Sequence, residues 1–177
     1  MRAAFGAASS GWASLSSADQ AAWIAFAAGH PVTDSLGQSI TLTGQQMFVS
    51  VGAQLLNCGQ TLPTAVPAST TTAAPVVAAF TVTAAGVITI TLTPSGTAAD
   101  FILVGMAGPV SPGVTFQKTF WQQTVLPGNS AGGATYGPAY VAQFGTLTAG
   151  TKVFMRLTPV NQYGFTGTPV IVVAVVT

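Results

Sequence analysis

The chain has 177 residues and a formal net charge of +1; 49% of its residues are hydrophobic and 4% are charged, against about 25% charged residues in ordinary soluble domains. This hydrophobic content excludes an intrinsically disordered chain. The lack of a basic patch excludes nucleic-acid binding as the main function, and no run approaches the about 18–20 consecutive apolar residues of a membrane-spanning helix. We therefore expect one large domain or two small ones, with neither nucleic acid nor membrane as a partner.

The few charged residues are scattered along the sequence. None lies between residues 35 and 99, and the set is Arg2, Asp19, Asp34, Asp100, Lys118, Lys152 and Arg156. Such a chain has little electrostatic repulsion to keep its copies apart, which favours a protein that works in contact with other protein. The single cysteine, Cys58, excludes an internal disulfide framework, and the first twelve residues lack the apolar core of a signal peptide.

The first predicted helix spans residues 17–28. Ser16 opens a capping-box-like Ser-Ser-Ala-Asp start, and Asp19 lies in the first turn, where a negative charge suits the helix dipole. Gly29 and Pro31 end the helix.

The second predicted helix spans residues 44–57, with Thr43 as N-cap and Gln46 completing a capping box. Its apolar face consists of Met47, Phe48, Val51 and Leu55. Residues 37–42 between the helices predict a short strand. Because two such helices bury little surface alone, residues 1–60 are predicted to form a small docking module that packs on a neighbour.

Residues 61–75 (TLPTAVPASTTTAAP) predict a stiff, extended linker, because proline and small residues dominate and neither charge nor apolar periodicity is present.

Residues 76–177 have the pattern of an antiparallel β-sandwich, in which short strands alternate with Gly/Pro turns. Residues 100–106 form a continuous apolar run, which predicts a strand buried on both faces. Turns are predicted at residues 94–96 and 108–113, and a Gly-rich loop at 127–133. The other predicted strands are 79–82, 86–93, 114–125, 140–147, 152–160 and 169–176. The fold class is thus mainly β with a small α-helical N-terminal module.

Part of this sandwich resembles a fibronectin type III domain. Residues 152–161 (KVFMRLTPVN) look like that family's sixth strand, and residues 161–164 (NQYG) resemble its Asn-x-x-Gly turn. Residues 75–95 are similar to its first two strands. The sequence departs from the family at Leu92, where a core tryptophan is usual, and residues 101–110 lack the expected tyrosine. An Ig-like sandwich of another topology is therefore the alternative.

The N-terminal module resembles small modules of phage and prophage virion proteins. The residues that carry this resemblance are Trp12, Leu15, Trp23, Phe26, Leu36, Leu42 and Phe48. The resemblance implies a role in a virus particle.

Two residues, His30 and Cys58, are candidates for general-base or nucleophilic chemistry. His30, in Gly-His-Pro, is either a general base assisted by Asp34 or a turn residue that caps helix carbonyls, and its position just past a helix end favours the cap. Cys58 follows a helix C-terminus, where the dipole opposes a thiolate, so core packing is favoured.

The carboxylates do not indicate a catalytic pair. A glycosidase mechanism needs two carboxylates. Because Asp19 is explained by capping, only Asp34 and Asp100 remain, and we discount this mechanism. No His/Cys/Asp cluster suits a metal, and one carboxylate at Asp100 is a poor calcium site. The Gly-rich residues 127–137 lack the lysine of a phosphate loop. We predict no catalytic, cofactor-binding or metal-binding residue, no cofactor and no enzymatic activity.

Two side-chain groups suggest weak binding roles. An aromatic platform for sugar could be formed by Trp121, Tyr136, Tyr140 and Tyr163, although aromatics in a sandwich are more often core or interface. A basic cluster is formed by Lys118, Lys152 and Arg156, for which solvated heads or salt bridges to Asp100 or a neighbour are favoured.

Together these patterns predict a non-enzymatic virion structural protein, such as a capsid decoration or cement protein, that acts through protein–protein packing. Its partners would be copies of itself and other capsid proteins, in a virion assembled in the host cytoplasm. The alternative is a secreted or surface-displayed binding module, glycan-binding or adhesin-like, with weak glycan contact.

Overall fold

A computed structural model describes residues 2–34, 36–93, 100–127 and 132–177. Within these residues the fold is a mixture of helices and antiparallel sheets. The chain divides into two compact units. The first, here called the helical unit, comprises Met1–Thr71 and Gln162–Phe165; the second, the sheet unit, comprises Thr72–Asn161 and Thr166–Thr177. The turn predicted at residues 94–96 lies outside the described residues.

Among its described residues the helical unit contains three helices and a small hairpin. In chain order these are α1 (Arg2–Trp12), α2 (Ser17–Gly29), β1 (Val32–Thr33), β2 (Ser39–Ile40) and α3 (Gly44–Asn57). Both predicted helices are confirmed, and the strand predicted at 37–42 is the shorter β2, which pairs antiparallel with β1. Helix α1 was not predicted from the sequence, because two glycines interrupt its alanine-rich residues and no capping residue precedes it.

The predicted capping interactions set the starts of α2 and α3. Ser16 Oγ accepts a hydrogen bond from Asp19 N at 3.1 Å, and its hydroxyl donates to Asp19 Oδ2 at 2.6 Å. At α3, Thr43 Oγ1 accepts from Gln46 N (3.2 Å) while Gln46 Oε1 accepts from Thr43 N (2.9 Å). Because each pair satisfies backbone N–H groups that the helix leaves unpaired, these starts are determined by local sequence.

Trp23 lies at the centre of the core of the helical unit. Its side chain is fully buried, and its ring meets Phe48 edge-on at 5.4 Å. Helices α2 and α3 approach closely at Gly44, where a Cβ atom would lie 2.7 Å from Ile24 N. Only glycine allows this approach, which brings Trp23 onto the apolar face of α3.

Two further segments complete that core. Leu62 and Val66 pack against it, and Trp23 Nε1 donates to Thr64 O at 3.3 Å, so these residues of the extended stretch lie within the helical unit. From the segment Gln162–Phe165, Phe165 lies 6.1 Å from the Phe26 ring. The core therefore combines residues that are far apart in sequence.

Over its described residues the sheet unit contains seven strands and one helix. In chain order these are β3 (Val76–Val82), β4 (Ile88–Thr93), β5 (Phe101–Met106), β6 (Trp121–Pro127), β7 (Gly132–Thr135), α4 (Gly137–Phe144), β8 (Lys152–Val160) and β9 (Val170–Val175). One sheet has the order β3-β4-β7 and the other β6-β5-β8-β9, and all pairs are antiparallel.

Both sheets contribute to one hydrophobic core. Alternate residues point inward because the side chains of a strand alternate between its two faces. The inward residues include Ile88, Ile90 and Leu92 from one sheet and Val104, Met106, Val153, Met155 and Leu157 from the other. Strand β5 is buried over residues 102–106, which confirms the prediction that both of its faces are covered.

The strand predicted at residues 140–147 is wrong, because α4 spans Gly137–Phe144. Pro138 lies in the first turn of α4, a position that proline favours, and Tyr140 and Phe144 are spaced so that their rings meet at 4.8 Å on one helix face. The apolar residues of this segment fit both the helical repeat and the alternation of a strand, and packing on the core selects the helix.

Two other boundaries differ from the prediction. The strand expected at 114–125 begins only at Trp121, and residues 114–120 are irregular. Within the segment expected to be a Gly-rich loop, Gly132–Thr135 form β7, which pairs with β4. Residues 128–131 lie outside the described part. Glycine has low strand propensity, so this pairing is decided by the neighbouring strand.

Candidate functional site

His30 and Asp34 are each engaged in local backbone structure. His30 is the C-cap of α2; its Nδ1 lies 2.8 Å from Phe26 O, and its ring stacks on Phe26 with centroids 4.1 Å apart. Asp34 Oδ1 accepts hydrogen bonds from Leu36 N and Gln38 N, both at 2.8 Å. The capping role predicted for His30 is therefore present, and the Asp34 carboxylate organises the turn between β1 and β2.

Cys58 is the buried C-cap of α3, and its backbone N donates to Gln54 O at 3.0 Å. Burial raises the pKa of its thiol to about 11. Because the thiolate is the nucleophilic form, this thiol is protonated and weakly reactive near neutral pH. The position agrees with the predicted packing role.

Clustered metal ligands are not found among the described residues. Within them, no three His, Cys, Asp or Glu side chains lie together in a group that would hold a metal ion. No helix in the described part of the chain is long and apolar enough to cross a membrane.

The four aromatic residues proposed as a sugar platform do not form one exposed surface. Tyr136 and Tyr140 are buried, and the Tyr140 hydroxyl donates to Ala107 O at 2.9 Å. Burial raises the pKa of Tyr136 to about 12 and raises that of Tyr140 as well. Tyr163 belongs to the helical unit. Only Trp121 is clearly exposed (40%), so the platform is wrong as a set and core packing holds for the two buried tyrosines.

The two buried tyrosines differ in how their hydroxyls are satisfied. Tyr140 has the carbonyl partner on Ala107, whereas the Tyr136 hydroxyl is buried with no hydrogen-bond partner among the described residues. A buried hydroxyl without a partner loses its hydration and gains nothing in return.

Two of the three basic residues hold a covering segment against the outer face of the larger sheet. Lys152 Nζ donates to Val114 O at 3.3 Å, and the Arg156 guanidinium lies 5.0 Å from the centre of the Phe120 ring. Between them on β8, Phe154 is buried. Residues 114–120 therefore cover β8, and a Cβ at Gly105 would lie 3.2 Å from Phe120 Cβ, so they cover β5 as well.

Strand β9 carries the exposed apolar surface of this sheet. Ile171, Val173 and Val175, here called the β9 column, are 44%, 50% and 49% exposed, whereas Val172 and Ala174 pack on the core. The sequence predicts the strand, at residues 169–176, but not this surface. The available signal was that VIVVAV is apolar at every position, so either face exposes apolar side chains.

A second uncharged surface lies on the helical unit. A groove of about 530 Å³ is lined by apolar residues of α1, α3 and the segment before α3, together with glutamine and serine side chains. Among its lining residues are Phe5, Leu42, Val49, Gln45, Ser50 and Gln54. The groove and the β9 column share one chemical property: neither contains a charged side chain.

Comparison with known proteins identifies no relative: no family model matches the chain, and neither a curated protein nor a solved structure matches it. The surfaces described above are therefore the features from which a function can be inferred.

Proposed function

We propose that this chain is a non-enzymatic structural component of a phage particle, such as a capsid decoration or cement protein, that acts by packing against other protein. The observation that carries this is the half-exposed β9 column on a chain with 4% charged residues. Monomeric soluble proteins rarely expose contiguous apolar patches that have no binding function.

Burial supplies the mechanism. Apolar surface removed from water stabilises a contact by about 25 cal/mol per Å². Charged side chains oppose such burial because they must be desolvated, and here the exposed apolar side chains lie on surfaces that contain few of them. Other exposed large apolar residues are Phe5, Ile24, Leu36, Ile40, Val76, Val87 and Phe116. Multivalent packing in a particle uses many such contacts at once.

Within this proposal the sheet unit is a fibronectin type III-like sandwich. In the described part of this unit, seven strands form two antiparallel sheets that share one core. The segment KVFMRLTPVN, which resembles the sixth strand of that family, coincides with β8, the sixth strand of the unit. Helix α4, inserted between β7 and β8, is a departure. A solved structure with another strand order would contradict this assignment.

Size-exclusion chromatography with light scattering, together with co-sedimentation with particles, tests the functional proposal. We expect a self-associating protein that sediments with particles, because its exposed apolar side chains are only partly covered within one chain. A highly soluble monomer at high concentration that stays in the supernatant would contradict the proposal.

A displayed binding module is the second candidate, and one observation favours it. Trp121 is exposed and meets Phe144 edge-on at 6.1 Å, which presents an immobilised ring to solvent. Immobilised aromatic rings are effective contact groups because little side-chain entropy is lost on binding. A glycan array probed with the native chain and Trp121→Ala tests this, with Phe116→Ala as the control for an exposed ring elsewhere. Binding that Trp121→Ala abolishes would favour the second candidate.

A further inference from the structure

Lys118 is an exposed cation in a segment without regular backbone pairing. It lies within the covering segment 114–120, and the residue that follows it, Thr119, is exposed as well. Residues 115–120 belong to no helix or strand. The backbone hydrogen bonds found outside helices and strands among the described residues do not involve them. Exposed polar segments of this kind are the preferred sites of proteolytic nicking.

The other two cations of the sheet unit are protected from a protease by strand pairing. Lys152 and Arg156 lie on β8, which pairs with both β5 and β9. The residues that follow them, Val153 and Leu157, are fully buried. Because a protease needs an accessible, unpaired chain around the bond that it cuts, the bonds after Lys152 and Arg156 are out of reach in the folded unit. The remaining cation, Arg2, lies in α1, outside this unit.

The covering segment is attached at both of its ends by side chains of β8. Lys152 Nζ donates to the backbone carbonyl of the first residue of the segment at 3.3 Å, and Arg156 lies against the ring of the last residue, Phe120. Phe154 is buried beneath the segment. Lys118 lies between the two attachments, so a cut after it would leave each part of the segment with one of them.

We propose that the peptide bond between Lys118 and Thr119 is a processing site for a protease of the trypsin class, which binds a basic side chain before the cut bond. The reaction consumes one water molecule. The C–N bond breaks, the water oxygen joins the Lys118 carbonyl carbon to give a carboxylic acid, and a water hydrogen joins the Thr119 nitrogen to give an amine. This inference goes beyond the proposed function and does not depend on it.

The cut would place two new charges over an apolar surface. Near neutral pH the acid on Lys118 is a carboxylate and the amine on Thr119 is largely an ammonium, and burial of an unpaired charge is costly. The ammonium is one residue from Phe120, whose ring already faces the Arg156 cation. Both new ends therefore favour water, and we expect the cut segment to leave Phe154 exposed.

The two products are expected to stay associated. Strands β3, β4 and β5 precede the cut, and β6, β7, β8 and β9 follow it. Strand β5 pairs with β6 and β8, and β4 pairs with β7. Because these pairs and the shared core join the two products, the cut chain keeps its sheet unit together.

Limited trypsin digestion of the folded chain, followed by mass spectrometry, tests the site. We expect one cut in the sheet unit, after Lys118, and Lys118→Gln should slow the loss of intact sheet unit at least about tenfold. Lys152→Gln is the matched control: it also removes a lysine, but it weakens an attachment of the covering segment and leaves Lys118 in place. This variant should be cut at least as fast as the native chain.

Two digestion results would overturn the site. One is a native chain whose first cut in the sheet unit follows Lys152 or Arg156. The other is Lys118→Gln that loses its intact sheet unit as fast as the native chain. Circular dichroism melting before digestion verifies that both variants fold.

Size-exclusion chromatography and binding of the apolar dye anilinonaphthalene sulfonate test the consequences of the cut. We expect the cut chain to elute as one species and to bind more dye than the intact chain, because this dye reports exposed apolar surface. Lys118→Gln treated with the same protease is the control. Products that separate would overturn the predicted association, and unchanged dye binding would overturn the release of the segment from Phe154. Neither readout requires assembly, so a failure of the proposed function leaves this test intact.

Discussion

The helical unit and the sheet unit bury their apolar side chains by different means. In the helical unit, capped helices bring Trp23 and Phe48 together, and the cap residues lie within three positions of the backbone groups they satisfy. In the sheet unit, strands distant in sequence share a core, as shown by Val104 of β5 and Leu157 of β8, which are paired in register. The difference shows why local signals predict the first unit well and the second only in part.

The largest expected effect is a loss of stability in the helical unit that leaves the sheet unit protected. Trp23→Ala removes the largest fully buried side chain and leaves a cavity, which costs about 3–5 kcal/mol in free energy of unfolding. We expect hydrogen exchange to accelerate in α2 and α3 while β5 and β8 keep their protection. Trp121→Ala, at an exposed site, serves as the control. Equal loss of protection in both units would show that they unfold together.

A smaller loss of stability is expected from a change in the segment Gln162–Phe165, which belongs to the helical unit. Gly164 has φ +90°, and a Cβ there would lie 2.6 Å from Val51 O. Gly164→Ala should lower the free energy of unfolding by about 2–3 kcal/mol, from the backbone conformation and the clash together.

Gly150→Ala separates these two contributions. Gly150 has φ +84° with nothing within 4 Å of the added Cβ, so only the cost of the backbone conformation, about 1–2 kcal/mol, is expected in denaturant unfolding. Equal losses in the two variants would show that the close approach to Val51 contributes nothing.

The smallest expected effect concerns the hydrogen bond that joins Tyr140 of α4 to Ala107 O. Tyr140→Phe removes the hydrogen bond to Ala107 O and should cost about 1 kcal/mol in denaturant unfolding. Tyr136→Phe removes a buried hydroxyl that has no partner in the described part and should be neutral or stabilising. The same loss in both variants would contradict the assigned hydrogen bond.

Several elements could be predicted because their signals are local or strongly periodic. Ser16 and Thr43 start α2 and α3 through hydrogen bonds three residues away, and β8 spans the predicted residues 152–160. Helix α1 and strand β7 lack such signals. Glycines interrupt α1 and dominate β7, so both depend on what they pack against.

The candidate surface was predicted less well than the fold. The scarcity of charge indicates contact with other protein, but composition does not say which face is open. That depends on the covering segment 114–120, which Lys152 and Arg156 hold over β8 and not over β9. The same kind of distant contact makes Tyr140 a core residue of a helix and not part of a sugar platform.

The sequence by itself determines the helix starts and the main strands, because caps and alternation act over a few residues. It also fixes the near absence of charge, which is a property of composition. Strand pairing, the choice of helix for Gly137–Phe144 and the exposure of the β9 column require the folded chain. These features arise from contacts between residues far apart in sequence. Their energies come from burial against particular neighbours, which no local pattern specifies.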